Sequence, residues 1–414
     1  MKTLDERLKI VEEHVNNNDI TIMIIGLGSV GTYLLDFLVS KNDPSIKLVV
    51  AGRNFEKMQS DVNIVRVASL IREVNKSKIE IEGNVDLDDI ASIERAIDKY
   101  KPDFIVNSSR AYSGLKYGSI SWANVRAYGI WTPLSIKYTK NIMEACKNVD
   151  TNAIVINTSY SDAVIPWLKS SNKAYPDFGS GNLNHLIPRM KFAVADILGV
   201  EDYWNVDFSF AAAHFHDVCI SKEGQTEGLD LPLKIYYKGE EKDIPHEDIF
   251  SACSISMPVD QKRNMMNASS NYRIITAIID AIRTGKDQKI FSPGAFGHIG
   301  GYPVIIGYKD GNISAWIDES DFTFEEMNIV NRKSLALDGV EDIKDATLIF
   351  TDDLIEKVKK AFGEDLPKEV KYEDIEETAN FLIEKVLRGK TFEYPIYFDV
   401  EDATHRILSK KKNN

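Results

Sequence analysis

Gly26, Gly28 and Gly31 form a G-x-G-x-x-G run, GLGSVG, that could cradle a pyrophosphate. The chemistry is that of bare backbone. The first glycine permits a tight turn, the second lets the chain approach the phosphates, and the third lets a helix pack close on a strand. A helix opening there adds free N–H groups and a positive dipole end. Further on the chain reads Ala51-Gly52-Arg53-Asn54. An acid at this point would hold a ribose 2′-hydroxyl, whereas a guanidinium suits a 2′-phosphate. The cofactor expected is therefore NADP, with NAD as the alternative. A second chemically capable cluster is His214-x-His216-x-x-Cys219. If the chain is a strand here, residues 214 and 216 face one side, and two imidazoles and a thiol could converge on zinc or manganese. The expectation kept is no metal.

These groups need elements to hold them. Residues 20–25 (ITIMII) are a short apolar, β-branched run, typical of a strand buried on both faces. Residues 32–40 have a helical pattern, and 47–51 (KLVVA) form a second buried strand. That is β-α-β, with the glycine run at the first turn. The alternation continues with strands at 79–83, 104–107 and 153–157, and helices at 87–99, 133–147 and 163–169. An amphipathic helix at 4–16 precedes them. The second half differs. Helices are expected at 189–198, 272–284 and 324–337, and strands at 206–213, 232–237, 304–308 and 313–317. Lys309-Asp310-Gly311-Asn312 is a hairpin signal. The fold class expected is α/β: an N-terminal Rossmann doubly wound parallel sheet over 1–170, and a C-terminal α+β substrate and oligomerisation domain over 171–414.

The chain has 414 residues, 43% hydrophobic, enough for a large core. Its net charge is −13, and the one basic run is Lys410-Lys411-Lys412 at the end of the chain. Nucleic acid and anionic membrane are therefore poor partners. Cys146, Cys219 and Cys253 make no disulfide framework and fit a reducing compartment. The first 19 residues lack an apolar signal region, so a cytoplasmic protein is expected.

Several stretches resemble the lactate/malate dehydrogenase superfamily in order and spacing. They are IVINTSYSDAV (154–164), GSGNLNHLIPRMKFAVADILGV (179–200), FAAAHFHDV (210–218), SSNYRIITAIIDAIRTG (269–285), and the segment from Gly300 to FTFEEMNIVNRKSL. The resemblance covers roughly residues 20–338. It implies that His214 is the general acid/base and that Arg189 clamps a substrate carboxylate. It implies that Arg110, or Arg126, polarises the substrate carbonyl, and that Ser269 or Ser270 touches substrate. Asn157 falls in the same substrate region. The position of the family's histidine-orienting Asp is Leu186, so Asn182, Asn184, Asp162 or Asp217 must orient His214. The expected cofactor contacts are Gly26, Leu27, Gly28, Ser29, Val30, Gly31, Arg53, Asn54, Asn107 and Ser108. The first half also resembles saccharopine-dehydrogenase-like reductases, through Ala51-Gly52-Arg53-Asn54, Glu56-Lys57 and Lys101-Pro102-Asp103. Together these imply an NAD(P)-dependent oxidoreductase moving a hydride to or from a small carboxylate-bearing substrate, a 2-oxo, 2-hydroxy or imino acid. The alternatives are a saccharopine- or opine-type reductase and a non-catalytic dinucleotide sensor. A homodimer or homotetramer is expected.

Overall fold

The computed structural model describes residues 1–388, except 74, 113 and 259, with backbone alone at 115, 116 and 119. The run at 410–412 and the end of the expected second domain lie outside the described residues. The first half contains α1 (Leu4–Asn16), β1 (Ile20–Ile25), α2 (Ser29–Ser40), β2 (Ile46–Ala51), α3 (Phe55–Arg72) and β3 (Lys78–Glu82). It continues with α4 (Ile90–Tyr100), β4 (Phe104–Asn107), α5 (Gly114–Asn124), α6 (Thr132–Asn148), β5 (Ile154–Asn157), α7 (Ser161–Ser170) and β6 (Phe178–Gly179). The six strands are parallel, in the order β3-β2-β1-β4-β5-β6. The order reverses between β1 and β4, so a crevice opens outside their C-terminal ends. Every residue of β1 is buried, as its unbroken apolar run requires. Ile25 pairs with both Ala51 and Asn107, which brings the ends of three strands to one level.

The second half contains α8 (Leu186–Leu198), β7 (Val206–Phe210), α9 (His214–Glu223), β8 (Leu233–Tyr237), β9 (Glu240–Glu241), α10 (His246–Ala252) and α11 (Asn264–Thr284). Then come β10 (Gln288–Pro293), β11 (Gly301–Lys309), β12 (Asn312–Ile317), α12 (Phe324–Leu337), β13 (Val340–Lys344) and β14 (Thr347–Phe350). Last are α13 (Asp352–Phe362), β15 (Glu369–Lys371) and α14 (Ile375–Phe381). The strands form three small antiparallel sheets, β7-β8-β9, β10-β11-β12 and β13-β14-β15. The hairpin at 309–312 joins β11 to β12. One core cluster runs from Leu8, Ile22 and Leu35 to Ile275, Ile279 and Val304, so the halves share a core.

Helices α3 and α5 are among those absent from the sequence pattern. In α3 the apolar Ile64, Val67, Leu70 and Ile71 are exposed, so no single stripe marks the helix. A third difference matters for chemistry. The strand expected over 206–213 stops at Phe210, and His214 opens a helix. Extended Ala213 is its N-cap, and the Asp162 carboxylate accepts the His214 peptide N–H at 3.1 Å. Strand periodicity therefore does not apply to His214 and His216.

The N-terminal helix is tied down through a buried ion pair. Arg7 forks onto Asp177, Nη1 to Oδ2 at 2.7 Å and Nη2 to Oδ1 at 2.5 Å, and Nη1 also donates to the Ala153 carbonyl. Both side chains are almost fully buried. Arg7→Ala leaves Asp177 charged and partly unpartnered, so unfolding free energy should fall by about 3–5 kcal/mol. Urea denaturation reads this directly, and a loss below ~1 kcal/mol, the scale of an exposed pair, would refute it.

Candidate active site

The glycine run lies where β1 ends. Gly26 has φ +89°, a conformation that favours glycine. A Cβ on Gly31 would meet the Gly26 carbonyl oxygen at 2.4 Å, so the loop closes only around a glycine there. A Cβ on Gly28 would meet nothing within 4 Å. The backbone at 28 faces open space, and α2 begins at Ser29 with its N–H groups toward it. The space is a cavity of about 1180 Å³. A single small-molecule pocket is typically ~300–1,000 Å³, so this one has room for more than one modest ligand. Leu27, Ser29, Val30, Arg53, Asn54 and Ser108 also line it. A dinucleotide pyrophosphate fits the bare loop, and Arg53 stands exposed at the end of β2 with no ion pair among the described residues.

The same cavity is lined by Tyr128, Tyr160, Asn182, His185, Arg189 and His214. His214 Nδ1 lies 2.9 Å from Asp338 Oδ2. The same oxygen accepts the Tyr160 hydroxyl at 2.7 Å, and Oδ1 accepts the Tyr128 peptide N–H at 2.7 Å. An ionised carboxylate can only accept, so Nδ1 carries its proton and the exchangeable position is Nε2. The rings of Tyr128 and Tyr160 stand edge-on to the imidazole, with centroids at 4.5 and 5.0 Å. The ring is thus fixed in tilt and tautomer. Burial pulls the His214 pKa down, but the Asp338 charge and hydrogen bond outweigh it and the net shift is upward. Behind the ring, Asp162 accepts from Asn182 at 2.5 Å. Burial pushes its pKa up to about 6, against the pull of His214.

Arg189 is 3% exposed. One Nη donates to the Cys253 carbonyl at 3.0 Å and the other to Met257 Sδ at 3.0 Å. Its Nε is buried without a partner. No carboxylate pairs with it among the described residues, and burial lowers its pKa. Both Nη groups of the expected carboxylate fork are therefore engaged, and only the buried Nε–H is left without a partner. Arg110 is exposed at the rim, with Nη1 donating to the Tyr117 hydroxyl at 3.2 Å.

Other expected residues lie elsewhere. Asn157 is fully buried and outside the cavity wall. Its amide accepts from Asn107 and Thr139 and donates to the Ser159 carbonyl and the Ser161 hydroxyl. It orders the turn after β5 and has no group left for a ligand. Asn107 is likewise spent, on Asn157, Thr139 and Ser109. Ser108 reaches the wall but donates its hydroxyl to the Gly26 carbonyl at 2.6 Å, bracing the loop. Gly31 acts by packing and does not line the cavity. Arg126 is held by Glu223 and Glu227 and stacks on Trp122 and Phe215, so Arg110 alone of the pair faces the cavity. Ser270 accepts the Gly181 N–H at 2.9 Å, Ser269 is exposed, and neither lines the cavity. A further histidine, His298, packs against Tyr302 and Phe324, outside the wall, and burial lowers its pKa to about 4.

The metal reading of His214, His216 and Cys219 does not match the geometry. His216 points to the Ser334 hydroxyl at 2.6 Å and the Thr226 carbonyl at 3.0 Å, away from the His214 contacts. Cys219, Glu223 and Glu227 do come together, but the Arg126 guanidinium occupies that cluster.

The residue that sequence reasoning missed is Asp338. Asp162, Asp217, Asn182 and Asn184 were the expected orienters of the imidazole, and none bonds to the ring. Asp162 instead holds the His214 backbone. A local signal existed. Asp338 caps the C-terminus of α12, where the helix dipole disfavours an acid, and it precedes Gly339. A residue that breaks a local rule is a functional flag.

No protein-family model matches the chain, and no curated protein matches its sequence. Solved structures do match its fold. A minor L-lactate dehydrogenase from Enterococcus mundtii, in its ligands-bound form, superposes at a TM-score of 0.51 and 14% identity. The alignment covers 77% of this chain and 96% of that one. The lactate dehydrogenase from Cryptosporidium parvum, complexed with lactic acid and nicotinamide adenine dinucleotide, superposes at 0.50 and 17% identity. There the coverage is 77% and 98%. No helix among the described residues is long and apolar enough to cross a membrane. The chain shares its fold with these two dehydrogenases.

Proposed function

We propose that the chain is an NAD(P)-dependent dehydrogenase acting on a small carboxylate-bearing 2-oxo or 2-hydroxy acid. The observation that carries this reading is that the His214–Asp338 pair and the bare Gly26–Gly31 loop open on one cavity. When bound, the nicotinamide ring supplies or takes the hydride. The residues of the chain do the rest. The Gly28 backbone and the first turn of α2 hold the pyrophosphate. His214 Nε2 gives its proton to the substrate oxygen during reduction and takes it back during oxidation. Asp338 keeps the tautomer and stabilises the charged imidazolium. The unpartnered Nε–H of Arg189 anchors the carboxylate, and Arg110 polarises the carbonyl from the rim. A sensor without turnover would have no need of an oriented, acid-backed imidazole. The test is oxidation of NADH and NADPH at 340 nm against a panel of 2-oxo acids, with wild type and His214→Asn. Turnover confined to wild type supports the reading, and turnover by neither chain with any acid refutes it.

Arg53 favours the phosphorylated cofactor, since a free guanidinium at the end of β2 meets a 2′-phosphate. Arg53→Asp should reverse the preference, weakening NADPH by roughly tenfold or more, the size of one charge-assisted hydrogen bond. Fluorescence titration of both reduced cofactors reads it. Equal affinities that the substitution leaves unchanged would remove Arg53 from cofactor choice.

A further inference from the structure

Resting on the reading of His214 as the proton-transfer residue, the geometry points to an elongated substrate: a hydroxylated acid with a phosphate monoester at the end remote from the reacting carbon. His214, Asp217, Val218, Ser221 and Lys222 all line the cavity. Their spacing of three, one, three and one is a single face of α9. At 1.5 Å per residue this face runs about 12 Å from His214 to Lys222. A three-carbon acid held at His214 leaves the far part of the face uncovered.

That part is polar. His185 Nδ1 lies 3.6 Å from Asp217 Oδ2, but Asp217 Oδ1 and Ser221 Oγ on α9, His185 Nε2 and Arg189 Nε are buried with no hydrogen bond among the described residues. Six buried side-chain atoms among the described residues are in this state, and four of them belong to residues that line this cavity. Buried polar atoms are ordinarily bonded, so such a group calls for a ligand. The mixture is specific. A carboxylate oxygen accepts, while a hydroxyl and an imidazole can do either. Substrate hydroxyl groups, which both donate and accept, match that set.

The far end is cationic. Lys222 lines the cavity there and Arg263 also lines the cavity, and neither side chain has a hydrogen bond or ion pair among the described residues. Arg263 precedes Asn264, whose amide donates to the Ser29 hydroxyl at 2.6 Å, and its charge helps lower the pKa of Lys222 after the larger effect of burial. Cavity-lining cations number six (Arg53, Lys57, Arg110, Arg189, Lys222 and Arg263) against two acids, Asp86 and Asp217, in a chain of net charge −13. A lysine ammonium and a whole guanidinium offer more donors than the two oxygens of a carboxylate absorb. A phosphate dianion, with three oxygens, matches them.

The test is calorimetric titration of the full chain, with NADPH present, using three six-carbon probes: D-gluconate, D-glucarate and 6-phospho-D-gluconate. They differ only in whether the distal group is a hydroxyl, a carboxylate or a phosphate. The phosphorylated probe should bind roughly tenfold or more tighter than either other. Lys222→Gln with Arg263→Gln should abolish that margin, and Lys222→Gln alone should reduce it while leaving NADPH affinity unchanged. Glucarate binding as tightly as the phosphorylated probe, equal binding of all three, binding of none, or a margin that survives the double substitution would each overturn the proposal. The readout is binding. Failure of the hydride-transfer reading therefore shows separately, as turnover insensitive to His214→Asn.

Discussion

His214→Asn will lower kcat by about 10²–10⁴-fold, the usual contribution of a positioned general acid or base, and leave dinucleotide affinity nearly unchanged. Asparagine can still accept or donate near Asp338, so the fold should survive. It has no proton to exchange near neutral pH. The pyrophosphate loop is formed by different elements, β1 and α2, so cofactor binding reports on the fold independently of the chemistry. Stopped-flow hydride transfer beside a cofactor titration separates the two. Turnover within about threefold of wild type would remove His214 from the mechanism.

Asp338→Asn will have the second-largest effect. The carboxylate takes three bonds, from the His214 ring, the Tyr160 hydroxyl and the Tyr128 N–H. An amide offers one accepting oxygen, and its NH₂ must face a donor. The imidazole then loses its enforced tautomer, and kcat should fall by about 10²–10⁴-fold. The pH profile should move as well. Reduction needs His214 protonated, and Asp338 is the main influence raising its pKa against burial. Without it, burial dominates and the fall in rate with rising pH should begin at lower pH.

The linked stability follows the same sign. A raised histidine pKa stabilises the native state fully below about 6.5, and the benefit fades as pH rises through the folded value. Asp162 has the same sign, with its loss falling between the ordinary carboxylate value of 3.8 and about 6. Asp338→Asn should remove the histidine part, seen as a flatter dependence of urea midpoint on pH above 6. Asp338→Ala, which leaves three donors unpartnered, should cost about 3–5 kcal/mol.

What the sequence made legible was local. ITIMII followed at once by GLGSVG needs only its own residues to announce a buried strand and a phosphate turn, and β1 and the loop sit where those signals put them. The order of motifs singled out His214 and Arg189, and both line the cavity. What was hidden depends on distant partners. Arg126 and Arg110 look equivalent in sequence; Glu223 and Glu227, on and after α9, claim the first and leave the second at the cavity rim. Asn157 looked available until Asn107, Thr139 and Ser161 engaged it. α3 was invisible because its outward side carries apolar residues, which erases the amphipathic stripe. The partner of the imidazole was hidden most completely, since Asp338 is 124 residues further along the chain.

That separation has a consequence for synthesis. Chains emerge from the ribosome at roughly 5–20 residues per second, so about 6–25 s pass between the making of His214 and of Asp338. Throughout that interval the imidazole of His214 stands unbacked. Any copy that stops before residue 338 lacks the carboxylate that His214 Nδ1 faces, so on the proposed mechanism catalytic competence is acquired late in translation. Truncated products of the gene will therefore be silent rather than partly active.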